Sequence, residues 1–296
     1  MVNDAHVHFF SPGFFDALGA QKGLPPEGRG LAVVNTLGWD DPVSPEALAD
    51  RWIVELDRHG VDRAAIIASV PGDDASVAAA LARHPSRFVG FFMLDPTRDD
   101  AQERAARAFA AGLRGLCLFP AMQRYAIQDP RAVAVIERAA AQPGAVVFVH
   151  CGVLSVGVRK KLGLASPFDI RFGNPLDLHA LALRFSSLPF VIPHFGAGMF
   201  REALMLADLC PNVYLDSSSS NGWIRYWPGV TLEEVFKTTV AVTGPDRLLF
   251  GTDSSFFPRG WNHAVYESQL NAMTAAGLND TDRARILSGA FDKLFR

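Results

Sequence analysis

The sequence predicts an α/β protein, a single (β/α)8 TIM barrel with residues 1–296 as one domain. Three observations carry that reading. Short apolar runs alternate with Ala-, Leu- and Arg-rich stretches, several runs close on a histidine or an aspartate, and 296 residues suit one barrel. The expected strands are Val2–His8, Arg63–Ser69, Phe88–Leu94, Gly115–Phe119, Val146–His150, Phe190–His194, Asn212–Asp216 and Leu248–Asp253. Each is rich in Val, Ile, Leu or Phe with little polar alternation, as a strand covered on both faces should be. Helical stretches fall near 45–59, 73–84, 99–111, 131–141, 176–187, 199–209, 231–242 and 262–276, with a closing helix near 281–294. Ser44 before Pro45, and Thr231 three residues before Glu234, are helix-start signals. A doubly wound open sheet is the competing topology. Two long connections, 9–44 and 151–175, each follow a strand. In a barrel both would rim the C-terminal face, as lids or substrate walls.

Hydrophobic residues make up 49% of the chain, enough to bury a large core. The net charge is −3 and the longest basic run is Arg159-Lys160-Lys161, so nucleic acid is not an expected partner. Cys117, Cys151 and Cys210 lie far apart with no CxxC pairing, which fits a reducing compartment better than a disulfide framework. No signal-peptide pattern and no membrane-length apolar run is present, so the expectation is a cytoplasmic protein away from membranes. The expected partner is a small-molecule substrate; a homodimer is left open.

The first expected strand reads Asp4-Ala5-His6-Val7-His8. Side chains two apart on a strand share a face, so His6 and His8 project together. His150 and His194 each end an apolar run, and Asp253 ends the last one. In a closed barrel the first and last strands are neighbours, which brings Asp253 beside His6 and His8. An acid buried among four histidines is costly unless it is paired or bound to a cation. Imidazole and carboxylate donors suit zinc, and three or four protein ligands with an open position make a catalytic site.

With these residues in view, the chain resembles the amidohydrolase superfamily, and within it the aminocarboxymuconate-semialdehyde-decarboxylase-like branch. The matching pieces are Asp4–His8, GLCLFP from Gly115 to Pro120, VHCG from Val149 to Gly152, HFGAG from His194 to Gly198, and FGTD from Phe250 to Asp253. They run in order over essentially the whole chain. The resemblance implies that His6, His8, His150 and Asp253 bind one divalent metal ion, expected to be zinc. It also implies that His194 acts on the bound water or the substrate, with Asp253 sharing in the catalysis. Binuclear members carry a carbamylated lysine on the fourth strand; here that stretch has Cys117 and Phe119, so one metal is expected. The segment Ile286–Ala290 also departs from the branch, lacking its asparagine after the glycine.

Around this constellation, Arg159, Lys160, Lys161 and Arg171 could supply a carboxylate contact if their loop folds over the mouth. The serines from Ser217 to Ser220 could line the pocket. Phe256, Phe257, Arg259 and Trp261 could form an aromatic wall with a cation. His59, His84, His179 and His263 read as structural. The leading function is metal-dependent hydrolysis of an amide, ester or lactone. The alternative is non-oxidative decarboxylation of an unsaturated or aromatic carboxylic acid. A phosphoesterase is disfavoured because Asp253 is followed by serines rather than by Asp-x-His spacing. A non-catalytic metal-holding barrel leaves His194 unexplained.

Overall fold

The computed structural model describes residues 1–296. Eight parallel strands pair in sequence order: β1 Val2–Phe9, β2 Val61–Ala68, β3 Phe88–Leu94, β4 Gly115–Leu118, β5 Val146–Val149, β6 Phe190–Ile192, β7 Val213–Asp216 and β8 Leu248–Leu249. Helices between them make this a (β/α)8 barrel. The open sheet is thereby excluded, because the last segment returns to the first. Ala5 N–H donates to the Phe250 carbonyl (2.8 Å), Asp253 N–H to that of His6 (2.9 Å), and His8 N–H to that of Ser254 (2.7 Å).

Side-chain alternation sorts the strands into two apolar layers. Ile67, Phe91, Cys117, Phe148, Val191, Tyr214 and Leu249 fill the barrel interior. Ile66, Phe92, Leu116, Val147, Ile192, Leu215 and Leu248 face the surrounding helices. Phe291 and Phe295, at the C-terminal end of the chain, join the interior cluster and plug its floor. β1 breaks the alternation. Ala5 lies inside whereas Val7 and Phe9 lie in the outer layer, and the β1–β2 register shifts between Asp4 and Val7. Such a bulge re-aims side chains, here around His6.

Five strands are shorter than expected, β4, β5 and β7 by one residue and β6 and β8 by more. β6 stops at Ile192, and His194 opens a tight turn in which His194, Phe195 and Ala197 have φ of +56°, +52° and +44°. β8 pairs with β7 only through Leu248 and Leu249, after which the backbone turns its hydrogen bonds to β1. The 9–44 connection is not a bare loop; it holds helices Pro12–Gln21 and Arg29–Leu37. Ser11 accepts from Phe14 N–H at the start of the first, with Pro12 in its first turn. Ser44 and Thr231 cap their helices as expected. No helix is long and apolar enough to cross a membrane.

Candidate metal and catalytic site

The C-terminal mouth collects the residues that close the strands. His6 and His8 come from β1, His150 follows β5, His194 follows β6, Asp216 ends β7, and Asp253 follows β8. His6 Nε2 lies 3.8 Å and His8 Nε2 3.2 Å from the same oxygen, Asp253 Oδ1. The His6 ring centroid is 5.2 Å from that of His8 and 5.0 Å from that of His194, and His194 is 5.3 Å from His150. The residues proposed from sequence thus share one mouth. The ligand atoms of His6, His8 and Asp253 form one tight group and those of His6, His194 and Asp216 another; His150 is in neither.

Hydrogen bonds fix which nitrogen of each ring is available. Ser69 Oγ gives its proton to the Ile67 carbonyl (2.9 Å), so it accepts from His8 Nδ1–H (2.7 Å). His6 Nδ1 lies 2.8 Å from the Asp216 carboxylate, an acceptor only, so this nitrogen carries a proton. Both rings are left with Nε2 lone pairs aimed at a carboxylate oxygen. Three acceptors converge with no donor between them, and only a cation, proton or metal, resolves that. His150 Nδ1 is a further buried nitrogen with no partner. The ligand atoms of His6, His8 and Asp253 therefore fit a divalent ion, and the partnerless His150 Nδ1 lies outside their tight group.

The electrostatics follow from burial and charge. With protons in place of an ion on His6 and His8, the His8 hydrogen bond and the two ring charges outweigh the burial that would lift Asp253, and they hold its carboxyl well below the usual range. Burial would lower His6, yet the charge and hydrogen bond of Asp216 win and raise it. Asp216 is correspondingly lowered despite its burial. Burial, reinforced by repulsion from neighbouring histidines, pushes His150 far down and His194 down, which favours their neutral forms. Cys117, inside the barrel on β4, is pushed far up by burial and stays a thiol.

Three residues without an assigned role in the sequence reading support this site. Asp4 is buried and accepts from His6 N–H (3.0 Å), Thr252 N–H (3.1 Å) and Trp261 Nε1–H (2.7 Å). Burial pushes Asp4 up to about 6, against the pull of a hydrogen bond from the Thr252 hydroxyl and of the three N–H donors. Asp216 holds His6, as above. Ser218, named only as a pocket-lining candidate, lies within hydrogen-bond distance of both His6 Nδ1 (2.9 Å) and His194 Nδ1 (2.8 Å). Asp216 was legible in principle: Tyr214 points inward, so by period two Asp216 must as well.

The rim only partly matches expectation. Trp261 is no wall; it is buried in the outer layer with its indole on Asp4. Phe256 stacks on Trp39 from the 9–44 excursion at 3.9 Å. The Arg259 guanidinium lies over Phe256 (4.6 Å), and Lys161 lies 5.4 Å from the Trp39 ring and 5.8 Å from Phe256. Arg259 Nη2 also donates to Ser255 Oγ (2.9 Å). Of the other loop cations, Arg159 is tied to Gln21 and the Ala165 carbonyl, Arg171 pairs with Asp169, and Lys160 is exposed. A surface groove of about 700 Å³ lies elsewhere, bordered by Phe200, Leu204, Trp223 and Trp227, and holds no histidine or cysteine.

Comparison with known proteins gives the same fold and one family. Protein fluG of Emericella nidulans is 33% identical over 88 residues, 29% of this chain and only 10% of that protein's length. A candidate 2-pyrone-4,6-dicarboxylic acid hydrolase from Pseudomonas putida superposes with TM-score 0.64 at 21% identity, covering 99% of this chain and 97% of that one. A zinc-bound amidohydrolase from Burkholderia multivorans superposes with TM-score 0.63 at 17% identity, covering 100% and 99%. At such identities the superpositions establish the fold alone. The amidohydrolase family model matches residues 3–296, so this chain belongs to the amidohydrolase family.

Proposed function

We propose that the chain is a metal-dependent hydrolase that cleaves an amide, ester or lactone in a small, carboxylate-bearing substrate. The observation that carries this reading is the convergence of the His6 and His8 Nε2 lone pairs on Asp253 Oδ1 beside the partnerless His150 Nδ1. One divalent ion, with zinc the best match to the donors, supplies a Lewis acid there and makes water a stronger acid. The zinc-bound family relative supports that choice. A fourth strand offering Cys117 and Phe119 in place of lysine supports one ion rather than two.

The chain's own residues divide the remaining work. His194, whose Nδ1 is engaged by Ser218, has Nε2 free to hold water or move a proton at the reacting centre. Asp253 accepts or relays a proton at the mouth, where a third of its side chain is exposed. Arg259 and Lys161 have no carboxylate partner and face one aromatic surface, so they suit a substrate carboxylate.

The same two cations support a second reading, decarboxylation of an unsaturated or aromatic acid, in keeping with the resemblance to the decarboxylase-like branch. A panel of lactones, esters, amides, enoic acids and hydroxybenzoic acids with zinc-loaded protein separates the two. Ring opening or acyl cleavage without CO2 supports hydrolysis; CO2 release overturns it in favour of the second reading. Turnover of neutral substrates unaffected by Arg259→Ala would contradict the carboxylate assignment.

A further inference from the structure

We infer that the 9–44 and 151–175 excursions form one cooperative cap beside the mouth, which opens and shuts as a unit while the barrel stays folded. The inference goes beyond the proposed reaction and does not depend on it. The two excursions share an apolar core separate from both barrel layers, in which Phe14, Leu18, Val33 and Val34 of the first meet Val158 and Leu162 of the second. Among the half-buried residues packed around that core, only Val70 lies outside the two excursions. A satellite core of this kind is the basis of a locally cooperative unit.

The polar ties run the same way. Lys22 Nζ donates to the Leu162 carbonyl (3.0 Å), and the Arg159 guanidinium donates to Gln21 Oε1. Every hydrogen bond of residues 154–168 stays within that segment or goes to Gln21 and Lys22. The barrel holds the cap by hydrogen bonds only at its ends. Ser11 Oγ donates to the buried Asp73 carboxylate, and Asp40 N–H donates to the Phe257 carbonyl (3.0 Å). The second excursion is pinched at its base, where Gly152 N–H donates to the Gly173 carbonyl (2.8 Å) and Asp169 N–H to that of Ala121 (2.8 Å). Anchored ends with a separate core between them are what a hinged cover requires. The cap reaches the site through Phe10, whose ring centroid is 5.7 Å from that of His8. Trp39 and Lys161 both ride on it, meeting Phe256 on the barrel side. The aromatic and cationic rim beside His8 and Asp253 is therefore complete only while the cap is shut.

The test needs no substrate. Hydrogen–deuterium exchange of the full-length chain is followed in rising, sub-denaturing urea on peptides spanning 12–37 and 157–164 in the cap and 88–94 and 146–149 in the barrel. The two cap peptides should exchange through one opening, with the same urea dependence, well before the two strand peptides. Leu162→Ala should speed exchange in both cap peptides about thirtyfold or more, the lower end for a buried leucine cut to alanine, and leave the strand peptides as in wild type. Leu18→Ala, on the other excursion, should do the same. Acceleration confined to the excursion that carries the substitution, or cap peptides that exchange only together with the strands, would overturn the inference. Strand protection shows that each variant is folded, and the wild-type urea dependence decides alone where one is not.

Discussion

Replacing Asp4 with alanine should destabilise the barrel more than any single surface change, although Asp4 is not itself one of the expected ligands. Its carboxylate accepts three N–H donors that have no alternative: the backbone of His6, the backbone of Thr252 and the indole of Trp261. All three residues are buried, so the alanine variant strands three donors away from water. A buried donor without its acceptor costs about 1–3 kcal/mol, giving a raw range of roughly 3–9 kcal/mol. Neighbouring losses are not additive and a water can enter the vacated space, so the lower half, about 3–6 kcal/mol, is expected. At about 2–4 °C per kcal/mol for a chain of this size class, the melting temperature should fall by roughly 10 °C. Urea denaturation and thermal melting in the presence of a chelator measure this without a contribution from bound metal. Because Asp4 seats the bulge that aims His6, zinc affinity should fall as well. A variant within about 0.5 kcal/mol of wild type would refute the reasoning, since it would mean that the three donors find other acceptors.

Other residues give equally definite outcomes. His194→Ala should keep the ion and a near-normal melting temperature while lowering kcat about 10²–10⁴-fold, the range for a lost acid–base group; near-normal turnover, or loss of the ion, contradicts that role. Gly152→Ala should cost about 2–4 kcal/mol in urea denaturation, since Gly152 has φ of +73° and an added Cβ would sit 2.1 Å from the Gly196 carbonyl oxygen. An unchanged midpoint would show that the segments after His150 and His194 do not pack as closely as this contact implies. Arg259→Ala should raise KM for carboxylate substrates about tenfold or more and leave neutral analogues unaffected; equal effects on both would assign the arginine to loop packing instead.

The sequence revealed most where burial on both faces wrote itself into composition. β3, which runs Phe88–Leu94, is apolar at every position but Gly90 and coincides with its expected limits. β6 and β8 were read too long because an apolar run does not say where the hydrogen-bonding partner changes. The Leu248-to-Asp253 run continues along the mouth, but beyond Leu249 it bonds to β1 rather than β7. The helices inside 9–44 were missed behind their glycines and prolines, though Ser11-Pro12 is a start signal of the same kind as Ser44-Pro45. The histidines of the candidate site stood out because imidazoles at strand ends are conspicuous. Asp4 did not, because the β1 bulge carries it away from the face it would share with His6 under strict alternation. Ser218 could not be singled out from four consecutive serines; its role depends on the turn that follows β7.

The central claim is that one divalent ion is held by His6, His8, His150 and Asp253. Elemental analysis of purified protein, before and after chelation and zinc titration, tests it most directly when run beside His6→Ala, His150→Ala and His194→Ala. Zinc should bind at close to one ion per chain, be lost in the first two variants, and be retained in the third. Two ions per chain, or full zinc occupancy in His6→Ala and His150→Ala, would contradict the account.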